Sequence, residues 1–542
     1  MAHRTHEVTN QPPPLVGHDV VTTDRALVEA LHRHGASSAL GRLAKLGQLA
    51  GSPEPHRWAA EADRNPPVLR THDRYGNRVD EVDFHPSWHR LLETAVSAGL
   101  AGAAWVADDP ARHVVRAAGF YAWSQVESGH GCPVSMTYAA VPALRGTPQL
   151  AEEWLPRLTV PAYDPGLRPP GTKAGCLAGM GMTEKQGGSD VRANTTRAEP
   201  RGGGCYGLTG HKWFCSAPMS DVFLVLAQAP GGLSCFAVPR VLPDGCRNDF
   251  RIQRLKDKLG NRSNASSEVE FEGAYGWLLG EEGRGVPAII EMVAMTRLDC
   301  VLGSAALQRR AVAEATHHAA HRAAFGGLLA DKPLMRNVLA DLAVESEAAT
   351  VLAMRLAAAV DAGETAFLRL ALPVAKYWVC KRTPAHVGEA LECLGGNGYV
   401  EESGMPRLYR EAPLNSIWEG AGNVNALDVL RALAREPLAL DALLEEVSAA
   451  AGADRRLDAA IGTLHEQIPR ADESSARRLA ERMALVLQGA LLTQSAPAAV
   501  ADAFCASRLG RDSGDAFGTL PGGLETAAIV ERARPPLNLP PA

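Results

Sequence analysis

Near residue 176 the hydrophobic pattern of this 542-residue chain changes from helical to strand-like, and near residue 280 it changes back. Strands confined to one central block, with helical blocks before and after, define an α+β fold rather than an alternating βαβ fold. The central block holds β-branched and aromatic runs such as Val222-Phe-Leu-Val-Leu-Ala and Leu233-Ser-Cys-Phe-Ala-Val, separated by turn residues. Before it, Trp88-His-Arg-Leu-Leu-Glu-Thr-Ala-Val and Met136-Thr-Tyr-Ala-Ala-Val carry apolar residues at helical spacing. After it, Leu339, Leu342, Ala343 and Ser346 share one helical face. The expected domains are 1–180, an arm followed by helices; 181–283, a β-domain; 284–436, a helical bundle; and 437–542, an extra helical domain. Residues 1–75, rich in Pro, His and Gly, read as an irregular arm with one helical patch, Asp24 to His32.

Composition removes several function classes. Ten cysteines are scattered with no C-x-x-C pair, and the 17 histidines form no ligand-spaced set, so no metal is expected. No run approaches the roughly 20 apolar residues of a membrane span, and the first residues lack the apolar core of a secretory signal. The expected location is the cytoplasm. A Rossmann fingerprint fails at its last glycine in Gly179-Met-Gly-Met-Thr-Glu184. The formal net charge is −6, with 46 Arg and only 9 Lys. From Asp441 to Ala542, 10 Arg and no Lys stand against 14 Asp and Glu, a local charge of −4 and a poor surface for neutralising phosphates.

Polar clusters stand out against this background. The loop Gly181-Met182-Thr183-Glu184-Lys-Gln-Gly-Gly-Ser189-Asp190 combines glycines, which let backbone N–H groups approach a ligand, with two hydroxyls that can bond heteroatoms. Alone, such a loop is more commonly an ordinary surface turn. Gly210-His-Lys-Trp213-Phe214-Cys215-Ser216 is strand-like and sets aromatic rings beside a hydroxyl, a wall suited to a planar redox ring or, more commonly, to a core. Arg322, in Arg-Ala-Ala-Phe-Gly326, ends a helical stretch with a fork suited to phosphate, or with a simply solvated guanidinium. Gly395-Gly396-Asn397-Gly is a glycine-rich turn. Trp418-Glu419-Gly420-Ala-Gly-Asn423 sets a carboxylate among glycines ahead of a helix, where Glu also complements the helix dipole.

In this order and company, these segments resemble the acyl-CoA dehydrogenase family of flavoproteins over residues 90–435. Thr183-Glu-Lys-Gln-Gly-Gly-Ser-Asp190 matches its T-E-x-x-x-G-S-D pattern, Arg322 to Gly326 its Arg-x-x-Phe-Gly motif, and Trp418-Glu-Gly-Ala421 its Y-E-G-T segment. Longer blocks, among them Leu255-Lys-Asp-Lys-Leu-Gly-Asn-Arg-Ser-Asn-Ala265, Pro406-Arg-Leu-Tyr-Arg-Glu411 and Asn415-Ser-Ile-Trp-Glu-Gly420, are similar to the AidB subfamily, flavoproteins of the adaptive response to DNA alkylation. That subfamily also carries an added helical tail.

The resemblance implies an N-terminal helical domain, a middle β-domain and a C-terminal helical bundle, assembled as a homotetramer with FAD at its interfaces. It implies Glu419 as the base that removes an α-proton from an acyl thioester while hydride leaves the β-carbon for the flavin. Thr296, at the family's alternative base position, cannot serve. It places Met182, Thr183 and Ser189 along the flavin, Phe214 and Ser216 against its ring, Arg322 on the pyrophosphate, Gly395, Gly396 and Asn397 along the adenine half, and Asn423 near the adenosine phosphate. Cys215, Trp418 and Gly420 complete the implied cofactor contacts. Trp418 in place of Tyr, Ala421 in place of Thr, and Glu184-Lys-Gln-Gly in place of Glu-Pro-Gly-Ala reshape the pockets, so little or modest acyl-CoA dehydrogenase activity is expected, with a short, branched or non-CoA substrate or only vestigial dehydrogenation. The implied function is an AidB-like flavoprotein that protects DNA against alkylation and binds duplex DNA weakly. The alternative is a metabolic acyl-CoA dehydrogenase for a short or branched acyl thioester, without DNA binding.

Overall fold

The run Val222–Ala229 is buried at every position except Gln228, which suits a strand covered on both faces. The computed structural model, which describes residues 5–536, places it at the centre of the β-domain. The strands are β1 (Val68–His72), β2 (Arg78–Asp83), β3 (Ala178–Gly181), β4 (Arg197–Gly202), β5 (Cys205–Ser216), β6 (Val222–Ala229), β7 (Gly232–Pro239), β8 (Phe250–Leu255) and β9 (Ser266–Leu279). β1 and β2 form a separate antiparallel hairpin. The others make one sheet in the order β3-β6-β4-β5-β9-β7, with β8 on β9, and the sheet closes because β6 also pairs with β7. Its core includes Phe223, Phe236, Phe250 and Phe271, each fully buried and worth about 1.5–3 kcal/mol.

Helices α1 (Arg25–Arg33), α2 (Leu40–Ala50), α3 (Pro53–Arg64), α4 (Pro86–Ser97), α5 (Arg112–Ser124), α6 (Gly131–Arg145) and α7 (Pro148–Leu158) precede the sheet. Helices α8 (Gly285–His321), α9 (Pro333–Ala362), α10 (Thr365–Glu392), α11 (Met405–Glu411), α12 (Gly422–Arg435), α13 (Pro437–Ser448), α14 (Arg455–Gln467), α15 (Ala476–Ser495), α16 (Ala498–Phe504) and α17 (Thr526–Ala533) follow it. The sheet belongs to one compact unit, Pro55–Arg112 with Glu127–Asp299. The other unit combines the chain up to Glu54 with His113–Val126 and the chain from Cys300 onward. Among the described residues, no helix is long and apolar enough to cross a membrane.

One expectation needs correction. The supposed irregular arm contains α2 and α3 besides the expected patch, α1; Leu27, Ala30 and Leu31 of α1 and Leu43 and Ala50 of α2 are buried. Its glycines misled the reading: a Cβ at Gly47 would fall 2.0 Å from Asp19 Oδ1, so this glycine serves close packing inside a helix rather than a turn. The segment after residue 437 also shares a core with the bundle, since α15 packs against α9, α10, α12 and α13. Arg508 bridges Asp341 at 2.5 Å and Glu345 at 3.0 Å on α9, and Arg532 joins Glu29 at 2.5 Å on α1 to Glu347 at 2.9 Å on α9.

Candidate functional site

In the β-unit, β3 delivers the Met182–Ser189 loop against β5, and Glu184 anchors it. This fully buried carboxylate accepts Lys212 Nζ at 2.8 Å, the Thr195 N–H at 2.7 Å, the Thr196 N–H at 3.1 Å and Gln186 Nε2 at 2.7 Å. Burial pushes its pKa upward, but the Lys212 ammonium and the Thr195 and Thr196 donors overcome it and hold the carboxyl well below the ordinary range. Burial also lowers the pKa of Lys212, with Glu184 opposing. Asn194 Nδ2 donates to Met182 O at 2.8 Å and the Trp213 N–H to Thr183 O at 2.8 Å, so the loop backbone lies along β5.

Within β5 the register with β9 slips. Lys212 faces Val269 while Cys215 faces Ser267, three steps against two, and the extra residue is a bulge. It breaks the alternation of Trp213 and Phe214: Phe214 is 49% exposed between the buried Lys212 and Cys215. The two rings meet edge to face at 6.5 Å, with Lys256 Nζ 3.4 Å from the Trp213 centroid and 4.5 Å from that of Phe214. Glu268 holds Lys256 at 2.9 Å. Met182, Thr183 and Ser216 are half-buried and Ser189 is exposed. An exposed aromatic face flanked by hydroxyls fits a flat heteroaromatic ring. The side chain of Cys215 lies in the β core and burial pushes the thiol up to about 12, so its main chain is what remains for a ligand.

In the helical unit, the segment before α12 gathers Trp418, Glu419, Gly420 and Asn423. Glu419 sits at φ 56°, in the left-handed region, and Gly420 follows at φ 96°. Buried Lys376 of α10 donates to Trp418 O at 2.7 Å and to Gly420 O at 2.7 Å. Asn425 Nδ2 donates to Gly420 O at 2.5 Å, and Trp418 Nε1 to Asn415 Oδ1 at 2.9 Å. Asn423 is exposed in the first turn of α12. Arg322 and Gly395-Gly396-Asn397 lie on other elements. Arg322, just past α8, donates through Nη1 to Asn10 O at 2.6 Å, and the three turn residues are exposed after α10.

The buried lysines Lys212 and Lys376, and Lys256 on the aromatic wall, were not singled out from sequence. A signal existed for Lys376, the one charged residue in the apolar run Pro373-Val-Ala-Lys-Tyr-Trp-Val-Cys380. Among the described residues, no group of His, Cys, Asp and Glu is placed to hold a metal.

A closed β-domain carrying an aromatic ledge and a helical bundle carrying a conformationally constrained glutamate are the parts that the resemblance to flavin-dependent dehydrogenases implies. The comparisons agree. The chain matches the adaptive response protein AidB N-terminal domain over residues 10–165, the acyl-CoA dehydrogenase middle domain over 179–274 and the acyl-CoA dehydrogenase C-terminal domain over 283–434. It is 48% identical over 511 residues to AidB of Escherichia coli (strain K12), covering 93% of this chain and 94% of that one. It is 31% identical over 520 residues to acyl-CoA dehydrogenase family member 11 of Caenorhabditis elegans, covering 87% of this chain and 83% of the relative. The crystal structure of C. elegans ACDH-11 in complex with C11-CoA superposes with a TM-score of 0.86 at 28% identity, covering 94% of each chain. The chain therefore belongs to the acyl-CoA dehydrogenase family, FAD-dependent oxidoreductases acting on CH–CH bonds, and it is AidB-like within that family.

Proposed function

We propose that this chain oxidises an acyl-CoA at its α,β-carbons, with Glu419 as the base that takes the α-proton. The observation that carries the reading is the conformation of Glu419. A non-glycine residue held at φ 56° directly before a glycine is a strained feature of the kind that persists at functional positions. FAD supplies the hydride acceptor. This chain's own residues bind and orient it: the backbone of the Met182–Ser189 loop, the Thr183 and Ser216 hydroxyls, and the Phe214 face. In the helical unit, Arg322, Asn423 and the Gly395–Asn397 turn serve the phosphates and adenine, with Trp418 and Gly420 shaping the space beside the base. The C11-CoA of the C. elegans structure supports an acyl-CoA of medium length. Anaerobic mixing with a series from isovaleryl-CoA to undecanoyl-CoA tests the reading through loss of the visible flavin band. Bleaching by at least one member is expected, and a protein with bound flavin that none of them bleaches contradicts it.

The unit works as a homotetramer in this reading. Phe325 at 95% and Tyr399 at 82% exposure are apolar surfaces that a partner copy would cover. A monomeric sedimentation profile would count against it.

A second function, protection of DNA through weak duplex binding, is favoured by the match to the adaptive response protein domain and by one patch. Arg478 and Arg511 lie close enough to Arg482 to depress its pKa, burial contributing most. The −4 charge of the tail limits the affinity.

A further inference from the structure

We propose that Lys376 is the positioning residue that sets Glu419 for proton removal. The proposal rests on the reading of Glu419 as the base. Lys376 is 1% exposed within the apolar middle of α10, a costly place for an ammonium unless its donors are satisfied. Its Nζ lies 2.7 Å from the carbonyl oxygen of Trp418 and 2.7 Å from that of Gly420, the residues on either side of Glu419. Fixing the peptide plane that enters Glu419 and the carbonyl that leaves Gly420 constrains the turn from both ends. A left-handed conformation costs an L-residue free energy and survives only where its surroundings over-determine it.

The other contacts reach one side each. Asn425 Nδ2 holds the Gly420 carbonyl at 2.5 Å and that of Ala421 at 3.2 Å. Trp418 Nε1 bonds Asn415, whose Nδ2 is 3.2 Å from Ser304 Oγ. Among the described contacts, Lys376 reaches the carbonyls on both sides. A compact ammonium with three rotatable donors can serve two converging carbonyls, which the planar fork of arginine does not match. A glycine at position 419 would adopt this conformation without strain but would carry no carboxylate. Holding a strained Glu in place with a buried cation therefore supports geometry at the carboxylate more than stability.

The test uses the full-length flavin-loaded protein and the variants Lys376→Met, Lys376→Arg, Glu419→Gly, Glu419→Gln and the Lys376→Met/Glu419→Gly double variant. In Lys376→Met, amide hydrogen exchange over residues 417–422 should rise about tenfold, with peptides from β5 unchanged. Its kcat should fall roughly tenfold while KM for the acyl-CoA holds, because misplacing the base affects the chemical step. The loss of melting temperature from Lys376→Met should be smaller in the Glu419→Gly background, where there is no left-handed strain left to hold. If methionine does not fold, Lys376→Arg keeps the charge and is expected to show the same gain in exchange. Unchanged exchange with unchanged kcat, or melting losses that simply add, overturns the proposal. A Glu419→Gln variant with normal kcat overturns the underlying base assignment instead, whatever the lysine variants show.

Discussion

Lys212 and Glu184 are both fully buried, and the pair fixes the loop proposed to contact the flavin. Replacing Lys212 by Met leaves a carboxylate buried without its cation, and breaking such a pair costs about 3–5 kcal/mol. Urea unfolding should show that loss, and it should largely disappear in a Lys212→Met/Glu184→Gln variant; equal losses in both would mean that the charge is not what matters. Phe214 should behave oppositely. Its ring is half exposed, so Phe214→Ala is expected to leave the urea midpoint unchanged while weakening FAD about tenfold through the lost aromatic contact. Equilibrium dialysis of the flavin measures this, and unchanged affinity would remove Phe214 from the site.

At the scale of elements, the Met182–Ser189 loop and the β5 bulge act together. A Cβ at Gly188 would approach Thr183 Oγ1 to 2.6 Å, so Gly188→Ala should turn the Thr183 hydroxyl and lower flavin affinity without changing the melting temperature. A variant that binds FAD normally would show the hydroxyl to be dispensable. Much of this element-level picture was legible beforehand. Helical and strand periods marked the blocks, and the motifs marked Phe214 and Glu419. The bulge was not legible, because Lys212-Trp-Phe-Cys215 carries no pattern that separates a register slip from plain alternation. Helices α2 and α3 were missed because the Pro, His and Gly content of the first 75 residues read as irregular chain, although Gly47 lies buried inside α2. The extra residue of the bulge turns the sulfur of Cys215 into the core.

Across the whole molecule, the ion pairs of the C-terminal arginines tighten the limit that the segment's net charge sets on binding a polyanion. Arg508 and Arg532 are held in ion pairs within the helical unit, so they join the segment to the bundle and are not available to a polyanion. Burial opposes ionisation of Glu345, but Arg382 and Arg508 lower its pKa from 4.5 to about 2. Because the folded pKa lies below the unfolded one, this contribution, about 3 kcal/mol, is present above pH 4.5 and is lost as pH falls toward 2. Acid titration of unfolding free energy should show that slope, and Glu345→Gln should flatten it. Duplex binding, left to residues such as Arg478 and Arg511, should be weak and fall steeply with added salt in a filter or anisotropy titration. Tight binding indifferent to salt would contradict that view. The central claim is an FAD-dependent dehydrogenase with Glu419 as its base, and rapid anaerobic mixing of acyl-CoA with the wild-type protein and with Glu419→Gln tests it most directly. The account predicts a flavin band in both, bleaching in the wild type, and bleaching slowed about 10²–10⁴-fold in the variant; a colourless protein, or equal bleaching rates, would contradict it.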